Sequence, residues 1–416
     1  MMEAWLPSIA SVLQIAAPVI GTAVLLVLLC PWIGYTRLPS SIKSPIHVDG
    51  PISALRACLK EVWAGPETAS RGYQLYSKNG QSFSLLNINF RPQVILPPNQ
   101  VRWLISQPEN VLSHTKAGED ADALPYILPM FDETGLHAFS KVLQNNLSRN
   151  IAETEQAVLE EMQHVLGQLL DETESWQEIN LMAVLEKVIY QIVQRIYGLV
   201  TWVGVLAFLP TDNLVAACTN NLLDLAGSDP KLGYFQTLRD EAKAAFAKNK
   251  TAGQPISHAL NHIDSALRES LRMNSLSSRA LHRQVDCAGG IVLPDGHRVP
   301  RGTWLCLSSG DIQSDDDSFE EARSFKPFRW VSKLAESETD KGPTLPLTSG
   351  KYFVFGHGRH ACPGRWYSFH VMKVVIAYLL VNYEIEPLEK RPSNTIFADI
   401  NVPPMAPIIR MRKFAS

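Results

Sequence analysis

The sequence has few cysteines and little charge, and both shortages exclude whole classes of protein. Its 416 residues include six cysteines with no CxxC pair, namely Cys30, Cys58, Cys218, Cys287, Cys306 and Cys362. This wide spacing argues against a disulfide-stapled secreted scaffold and against a zinc ribbon. Charged residues make up 19% of the chain, and the net charge is −3. Such a balance gives no reason to expect nucleic acid as a partner.

Internal repeats, low-complexity tracts and a glycine-rich nucleotide-binding motif are also missing from the sequence. Hydrophobic residues nevertheless reach 46%, which is typical of a folded protein and not of a disordered one. The length allows one large domain or two to three average ones.

One long apolar stretch stands at the N-terminus, where residues 9–33 carry no charge. At about 1.5 Å per residue it would cross the roughly 30 Å hydrocarbon core of a bilayer. Glu3 is the only charge before it, and Arg37 and Lys43 follow it, so the positive-inside rule predicts a cytosolic body. A cleaved signal peptide or a buried core helix are the alternatives. The predicted organisation is a short lumenal N-terminus (1–8), a transmembrane anchor (9–33), a proline-rich linker (34–52) and a folded domain (53–416).

The rest of the chain has mostly helical periodicity, with a minor β portion. Apolar segments at 83–86 and 94–96 predict a hairpin, and residues 285–307 predict short strands around turns. Apolar residues at three- and four-residue steps predict helix from about 136 to 196. Further helices are predicted at about 217–225, 235–248, 256–273 and 365–383. The pattern therefore indicates a mainly α fold with a minor β portion.

The most informative segment runs from Phe353 to Arg365 and reads FVFGHGRHACPGR. Its three glycines and one proline predict a tight loop ahead of a helix. Cys362 would lie at the start of that helix, where backbone N–H groups and the helix dipole favour a thiolate. Such a thiolate is either a nucleophile or a ligand for a soft metal centre, and no base pattern of a cysteine hydrolase is visible. Positive potential is expected from Arg359, His360 and Arg365, and an apolar wall against a flat ligand from Phe355.

This segment resembles the haem-binding loop of the cytochrome P450 family, F-x-x-G-x-(basic)-x-C-x-G, and its extended form is similar to fungal members. The matching residues are Phe355, Gly358, His360, Cys362 and Gly364, with histidine where the family usually has arginine. The resemblance implies a P450-like haem domain behind the anchor, with haem b as cofactor, these residues around it and Cys362 as the axial iron ligand.

Two further motifs agree with this resemblance. Glu269 and Arg272 match the family's E-x-x-R, and Arg329 matches its P-x-R segment. In the family these three form a buried triad that braces the haem loop; by itself, an i, i+3 pair is usually a solvated salt bridge. Arg283 resembles the family's haem-propionate arginine, with an exposed strand charge as the alternative. The upstream W-x-x-x-R motif is missing, and the nearest candidates are His137, Lys141 and Arg149.

The sequence departs from the family at the helix that crosses the haem face. Residues 220–230 look like the end of that helix, which places its Thr–Thr pair at Asn213-Leu214. Residues 196–209 do not resemble its front half, and the chain is shorter than ordinary members. Either the gene model has lost or gained coding sequence here, or the protein is a genuinely shortened form with impaired oxygen activation.

Thr219 is the predicted catalytic stand-in for the missing threonine pair, with Thr211 and Asp212 as further candidates. A polar residue near a helix start is more often a cap.

The function implied by the resemblance is that of a membrane-anchored haem-thiolate monooxygenase. It would insert one atom of dioxygen into a C–H bond or double bond of an apolar small molecule, and the thiolate would favour O–O cleavage. NADPH–cytochrome P450 reductase on the same membrane would supply the electrons. The expected location is the endoplasmic reticulum with the catalytic body facing the cytosol. By analogy with fungal members, the substrate is a terpenoid, polyketide or alkaloid. The alternative is a haem-binding but impaired or inactive remnant.

Overall fold

The computed structural model describes Gly21 and residues 38–48, 50–87, 91–122, 151–170, 174–197, 203–252, 255–336, 338–339, 342–343 and 347–414. The chain divides into two compact units. The first comprises Met1–Gly118, Leu281–Ser308 and Phe397–Asp399, and the second comprises Glu119–Ala280, Ser309–Ile396 and Ile400–Ser416. Apart from Gly21, the predicted anchor lies outside the described residues. Within the residues that are described, no helix is both long and apolar enough to cross a membrane.

The helices of the described ranges are α1 (Pro51–Leu75), α2 (Val101–Ser106), α3 (His114–Asp122), α4 (Ile151–Leu169), α5 (Leu181–Tyr197), α6 (Val203–Ala226), α7 (Tyr234–Ala252), α8 (Asn261–Met273), α9 (Ser309–Gln313), α10 (Val331–Glu336) and α11 (Arg365–Asn382). The strands are β1 (Phe83–Leu86), β2 (Pro92–Leu96), β3 (Leu112–Ser113), β4 (Gln177–Asn180), β5 (Ala280–Val285), β6 (Ile291–Val292), β7 (Arg298–Val299), β8 (Trp304–Leu307), β9 (Glu338–Thr339), β10 (Gly342–Pro343), β11 (Tyr383–Ile385), β12 (Thr395–Phe397), β13 (Ile400–Val402) and β14 (Ile408–Lys413).

A five-stranded sheet with the order β1-β2-β8-β5-β3 organises the first unit. β1 and β2 form the predicted hairpin, with Phe83 opposite Ile95. β2 continues in parallel with β8, and both strands are buried along their whole length. α1 packs closely on this sheet, because a Cβ atom at Gly72 would lie 2.1 Å from the Phe83 ring. Only glycine allows that approach.

The predicted linker ends earlier than expected, because α1 begins at Pro51. Proline suits the first position of a helix, where its fixed φ is already helical and its missing N–H has no intrahelical partner. The helix bends at Ala64, two residues before Pro66, where its φ and ψ are not helical. Pro66 therefore marks a kink within α1 and not the end of the helix.

Helices dominate the second unit, and two of its predicted elements differ from the observed ones. The helix predicted up to residue 196 is interrupted, because β4 lies between α4 and α5 and pairs with β14. The helix predicted at 217–225 is the last part of the much longer α6. α6 packs against α5, α8 and α11. Fully buried side chains of this core include Met162, Leu166, Leu185, Ile189, Ile192, Leu223, Leu267, Val375 and Leu380.

Candidate functional site

The loop that carries Cys362 folds back on itself just before α11. Gly356 and Gly358 have φ values of 69° and 75°, a left-handed conformation that side chains other than glycine rarely adopt. The Gly356 N–H donates to the Phe353 carbonyl at 2.8 Å, and the Cys362 N–H donates to the Phe355 carbonyl at 2.8 Å. A short 3₁₀ turn at Gly358–His360 connects the two bends. The glycine pattern of the sequence thus produces the predicted tight loop.

Cys362 is partly buried at the N-terminal side of α11. Burial raises the pKa of its thiol, while backbone N–H groups of Gly364 and Arg365 and the Arg365 charge act to lower this pKa. The Arg365 guanidinium also donates to the Cys362 carbonyl at 2.7 Å. Burial therefore favours the neutral thiol, while these N–H groups and the Arg365 charge favour the thiolate.

The two basic residues ahead of the cysteine act differently from each other. The Arg359 Nε donates to the His360 Nε2 at 2.9 Å. Since arginine can only donate, His360 accepts through an unprotonated nitrogen. Positive potential on this side of the loop therefore comes from Arg359. Phe355 is half-buried and meets Phe369 edge to face, with ring centroids 6.4 Å apart.

The donor set of this loop fits a haem iron. Among the described residues, no group of three or more His, Cys, Asp or Glu side chains is placed to hold a metal ion. Cys362 offers one soft sulfur donor, and the N–H groups of Gly364 and Arg365 act to lower the pKa of its thiol. A single thiolate suits an iron that brings its remaining ligands in a macrocycle.

Glu269, Arg272 and Arg329 come together as one buried ion cluster. The carboxylate of Glu269 accepts from Arg272 Nε at 3.0 Å and Nη2 at 2.8 Å. Arg329 Nε donates to both of its oxygens, at 2.9 and 3.0 Å. The side chains of Glu269 and Arg272 are 0% exposed, so the pair is not the solvated salt bridge that its spacing alone would suggest.

Arg329 also binds the backbone of the loop that precedes it. Its guanidinium donates to the carbonyl oxygens of Glu320, Glu321 and Ser324. One arginine thus ties the segment before α10 to the carboxylate of α8.

Arg283 lies on β5 in the first unit and is 2% exposed. Its Nη1 donates to the His282 carbonyl at 2.7 Å and lies 3.3 Å from His114 Nδ1. The alternative of an exposed strand charge is therefore wrong. Its contact with a haem propionate stays a prediction.

The proton-relay candidates occupy different environments on α6. Thr219 is fully buried, and its hydroxyl makes no hydrogen bond within the described structure. Thr211 is buried. Asp212 is exposed and accepts from the Tyr190 hydroxyl at 2.5 Å. Asn213, at the expected place of the threonine pair, is exposed. The other haem-contact candidates, His137, Lys141 and Arg149, lie outside the described residues.

A second buried ion cluster was not predicted from the sequence. Asp224 of α6 accepts from Ser270 Oγ at 2.6 Å and Asn274 Nδ2 at 2.8 Å, and it pairs with Arg391. Burial raises the pKa of Asp224, and the Arg391 charge opposes this increase. No local motif singles out Arg391, because its partner is 167 residues away.

Comparison with known proteins shows to which family the chain belongs. A family model described as cytochrome P450 matches residues 230–409. The chain is 48% identical to the cytochrome P450 monooxygenase lnaC of Aspergillus flavus, over 94% of this chain and 95% of that protein. The chain belongs to the cytochrome P450 family. It is a P450 monooxygenase, similar also to nodZ of Hypoxylon pulicicidum, with 28% identity over 91% of this chain and 93% of that protein.

The comparison also bears on the length of this P450. The alignment with lnaC runs over 500 positions, more than the 416 residues of the chain. The relative therefore has residues without a counterpart here. The family model covers the Glu269 cluster and the Cys362 loop but not Thr219. P450s carry a haem whose iron is bound by a cysteine thiolate, and Cys362 fits that ligand.

Proposed function

We propose that this P450 is a membrane-anchored haem-thiolate monooxygenase that hydroxylates, epoxidises or otherwise oxidises an apolar small molecule of fungal secondary metabolism. A terpenoid, polyketide or alkaloid is the proposed substrate class. The observation that carries the proposal is the Cys362 loop, in which two glycines with positive φ and the bond from the Cys362 N–H to the Phe355 carbonyl hold the thiol directly ahead of α11. Its occurrence in a chain 48% identical to a fungal P450 monooxygenase supports the assignment.

Haem, when bound, supplies the activation of dioxygen and the transfer of one oxygen atom to the substrate. Cys362 provides the thiolate to its iron. The N–H groups of Gly364 and Arg365 and the charge of Arg365 favour this thiolate, because they lower the pKa of the thiol. Phe355, held edge-on by Phe369, forms an apolar side of the loop. Electrons come from NADPH through a separate NADPH–cytochrome P450 reductase, as is general for monooxygenases of this family.

The proposed location is the endoplasmic reticulum membrane, with the catalytic body in the cytosol. The uncharged stretch 9–33 supports a single span. One face of α1 supports membrane proximity, because Ile52, Leu59 and Trp63 are 61%, 47% and 67% exposed. Arg56 and Lys60 are exposed beside them, a mixture typical of helices at a lipid interface.

Alkaline carbonate extraction of microsomes tests this location. We expect the full chain to stay in the membrane pellet, and a variant lacking residues 9–33 to be extracted more readily. Release of the full chain into the supernatant would refute the single span.

A second candidate function is haem binding with impaired catalysis. It is favoured by the exposed Asn213 at the expected site of the threonine pair and by the residues of lnaC that lack a counterpart here. Sequencing the transcript across codons 197–220 tests whether the threonine pair is really missing. A transcript that encodes the pair would remove the reason to expect impaired catalysis.

Oxygen-isotope labelling distinguishes the two functions. Microsomes containing the chain and a fungal reductase would be incubated with NADPH, ¹⁸O₂ and a panel of apolar fungal metabolites. The monooxygenase proposal predicts a product that carries one ¹⁸O atom with the wild type and none with Cys362→Ser. A thiolate–haem spectrum with NADPH consumption but no labelled product would support the impaired form. No haem spectrum and no product would contradict both.

A further inference from the structure

Gln313, the last residue of α9, is fully buried and belongs to none of the motifs described above. Its Oε1 accepts the N–H of Phe353 at 2.8 Å. Its Nε2 donates to the Arg272 carbonyl at 3.3 Å and to Ser275 Oγ at 2.6 Å. Arg272 in turn donates from Nη1 to the Gln313 carbonyl. One amide therefore joins the end of α8 to the start of the Cys362 loop.

The chemistry of the partners fixes the orientation of this amide. The Phe353 N–H can only donate, and the Arg272 carbonyl can only accept, so exchanging the oxygen and nitrogen of Gln313 would break both contacts. The side chain thus has one hydrogen-bonded arrangement. It is buried, and losing it would leave Phe353 N–H without a partner.

Phe353 is also where the folding of the cysteine loop begins. Its carbonyl accepts from Gly356, and two residues later Phe355 accepts from the Cys362 N–H. A fixed Phe353 therefore fixes the first of two bends that lead to the cysteine. The neighbouring Tyr352 hydroxyl donates to the Arg268 carbonyl at 3.2 Å, so α8 holds this end of the loop at two points, one of them through Gln313.

We propose that Gln313 is a positioning residue that couples the buried Glu269–Arg272 pair to the Cys362 loop. Arg272 is held by Glu269 through two hydrogen bonds, and its Nη1 donates to the backbone carbonyl of Gln313. The side chain of Gln313 in turn accepts the Phe353 N–H. The ion cluster thereby acts on the loop through a defined hydrogen-bonded route. The consequence for thiolate ligation rests on the proposed haem site, while the coupling itself does not.

Hydrogen–deuterium exchange of the full chain tests the coupling without any requirement for haem. Gln313→Met keeps the length of the side chain but removes its donor and acceptor. Ser275→Ala keeps the Oε1 acceptor for Phe353 and removes one of the two Nε2 contacts, together with the bonds from the Ser275 hydroxyl to the Leu271 and Arg272 carbonyls. We expect Gln313→Met to speed exchange in residues 353–362 about five- to tenfold, the loss of one buried hydrogen bond. Ser275→Ala should stay near the wild type.

Two results would overturn the proposal. One is wild-type exchange of the loop in Gln313→Met, and the other is faster exchange spread evenly over α8, α11 and the loop, as expected for a merely structural role. If Gln313→Met does not fold, exchange in the wild type still tests the proposal. The coupling predicts that the Phe353 amide exchanges as slowly as the amides of α8. Exchange at the rate of an exposed turn would refute the coupling.

A spectrum extends the test to the haem site. In the reduced, carbon-monoxide-bound state, Gln313→Met should lose a larger share of the thiolate-ligated band than of total haem, relative to Ser275→Ala. Equal losses of both would refute positioning of the thiolate. Complete absence of haem from the wild type would instead refute the proposed function, while the exchange result would still decide the coupling.

Discussion

The buried carboxylate of Glu269 offers a sharp test of what stabilises the second unit. It accepts hydrogen bonds from two guanidinium groups and from the Lys326 N–H at 3.2 Å, with no exposed surface of its own. In Glu269→Gln the shape is retained, but Arg272 and Arg329 lose the anion that they share and the new NH2 group meets other donors. Removing one partner of a buried ion pair costs about 3–5 kcal/mol. This is a large part of a typical unfolding free energy of about 5–15 kcal/mol.

Urea unfolding of the wild type and two variants measures this effect. The control is Arg195→Gln, which removes an arginine that bridges Glu160 and Glu161 on the surface, where its side chain is 41% exposed. Exposed pairs contribute little because water already solvates their charges. We expect a large decrease in the urea midpoint for Glu269→Gln and almost none for Arg195→Gln. Equal midpoints for the two variants would refute the reasoning from burial.

Three further predictions concern single residues of the second unit. Thr219→Val should divert NADPH electrons to hydrogen peroxide, and Thr219→Ser should not, if the buried, unbonded hydroxyl serves the reaction; equal peroxide yields would refute its role. The Glu241 carboxylate accepts hydrogen bonds from the backbone N–H and from the ring Nδ1 of His262. The bond to the ring raises the pKa of His262. The stabilisation from the His262–Glu241 pair is therefore complete below the ordinary histidine pKa of about 6.5, and it is lost as pH rises through the raised pKa of His262 in the folded protein. Glu241→Gln should consequently cost more in urea unfolding at pH 6 than at pH 8, and a pH-independent cost would contradict the pairing. Burial lowers the pKa of His370 to about 3, so the unfolded chain binds the extra proton below about pH 6.5. About 2 kcal/mol of stability should be lost by pH 5; His370→Leu should remove that loss, and an unchanged acid profile would refute it.

Features encoded in neighbouring residues were predictable from the sequence. The hairpin of β1 and β2 and the amphipathic α4 follow from alternation and from helical periodicity. The glycines at 356 and 358 predicted the tight loop, because their positions require positive φ. The three members of the buried cluster, Glu269, Arg272 and Arg329, were named by the resemblance of their motifs to the P450 family and not by a local pattern.

Features that depend on distant contacts were not predictable. α6 begins at Val203, well before the predicted residue 217, although it contains Pro210. Packing against α5 and α8 compensates for the poor local propensity. Gln313 and Arg391 carry no motif, since their roles arise from partners 40 and 167 residues away. The burial of Arg283 likewise comes from its place in a sheet and not from its neighbours in sequence.

The central claim is that Cys362 provides the thiolate ligand of a haem iron. The reduced, carbon-monoxide difference spectrum of membranes containing the 416-residue chain tests it most directly, with Cys362→Ser beside the wild type. We predict a red-shifted Soret band in the wild type that disappears in Cys362→Ser, at equal amounts of chain in the membrane. A band that survives in Cys362→Ser, or no band from a wild-type chain present in the membrane, would contradict the assignment.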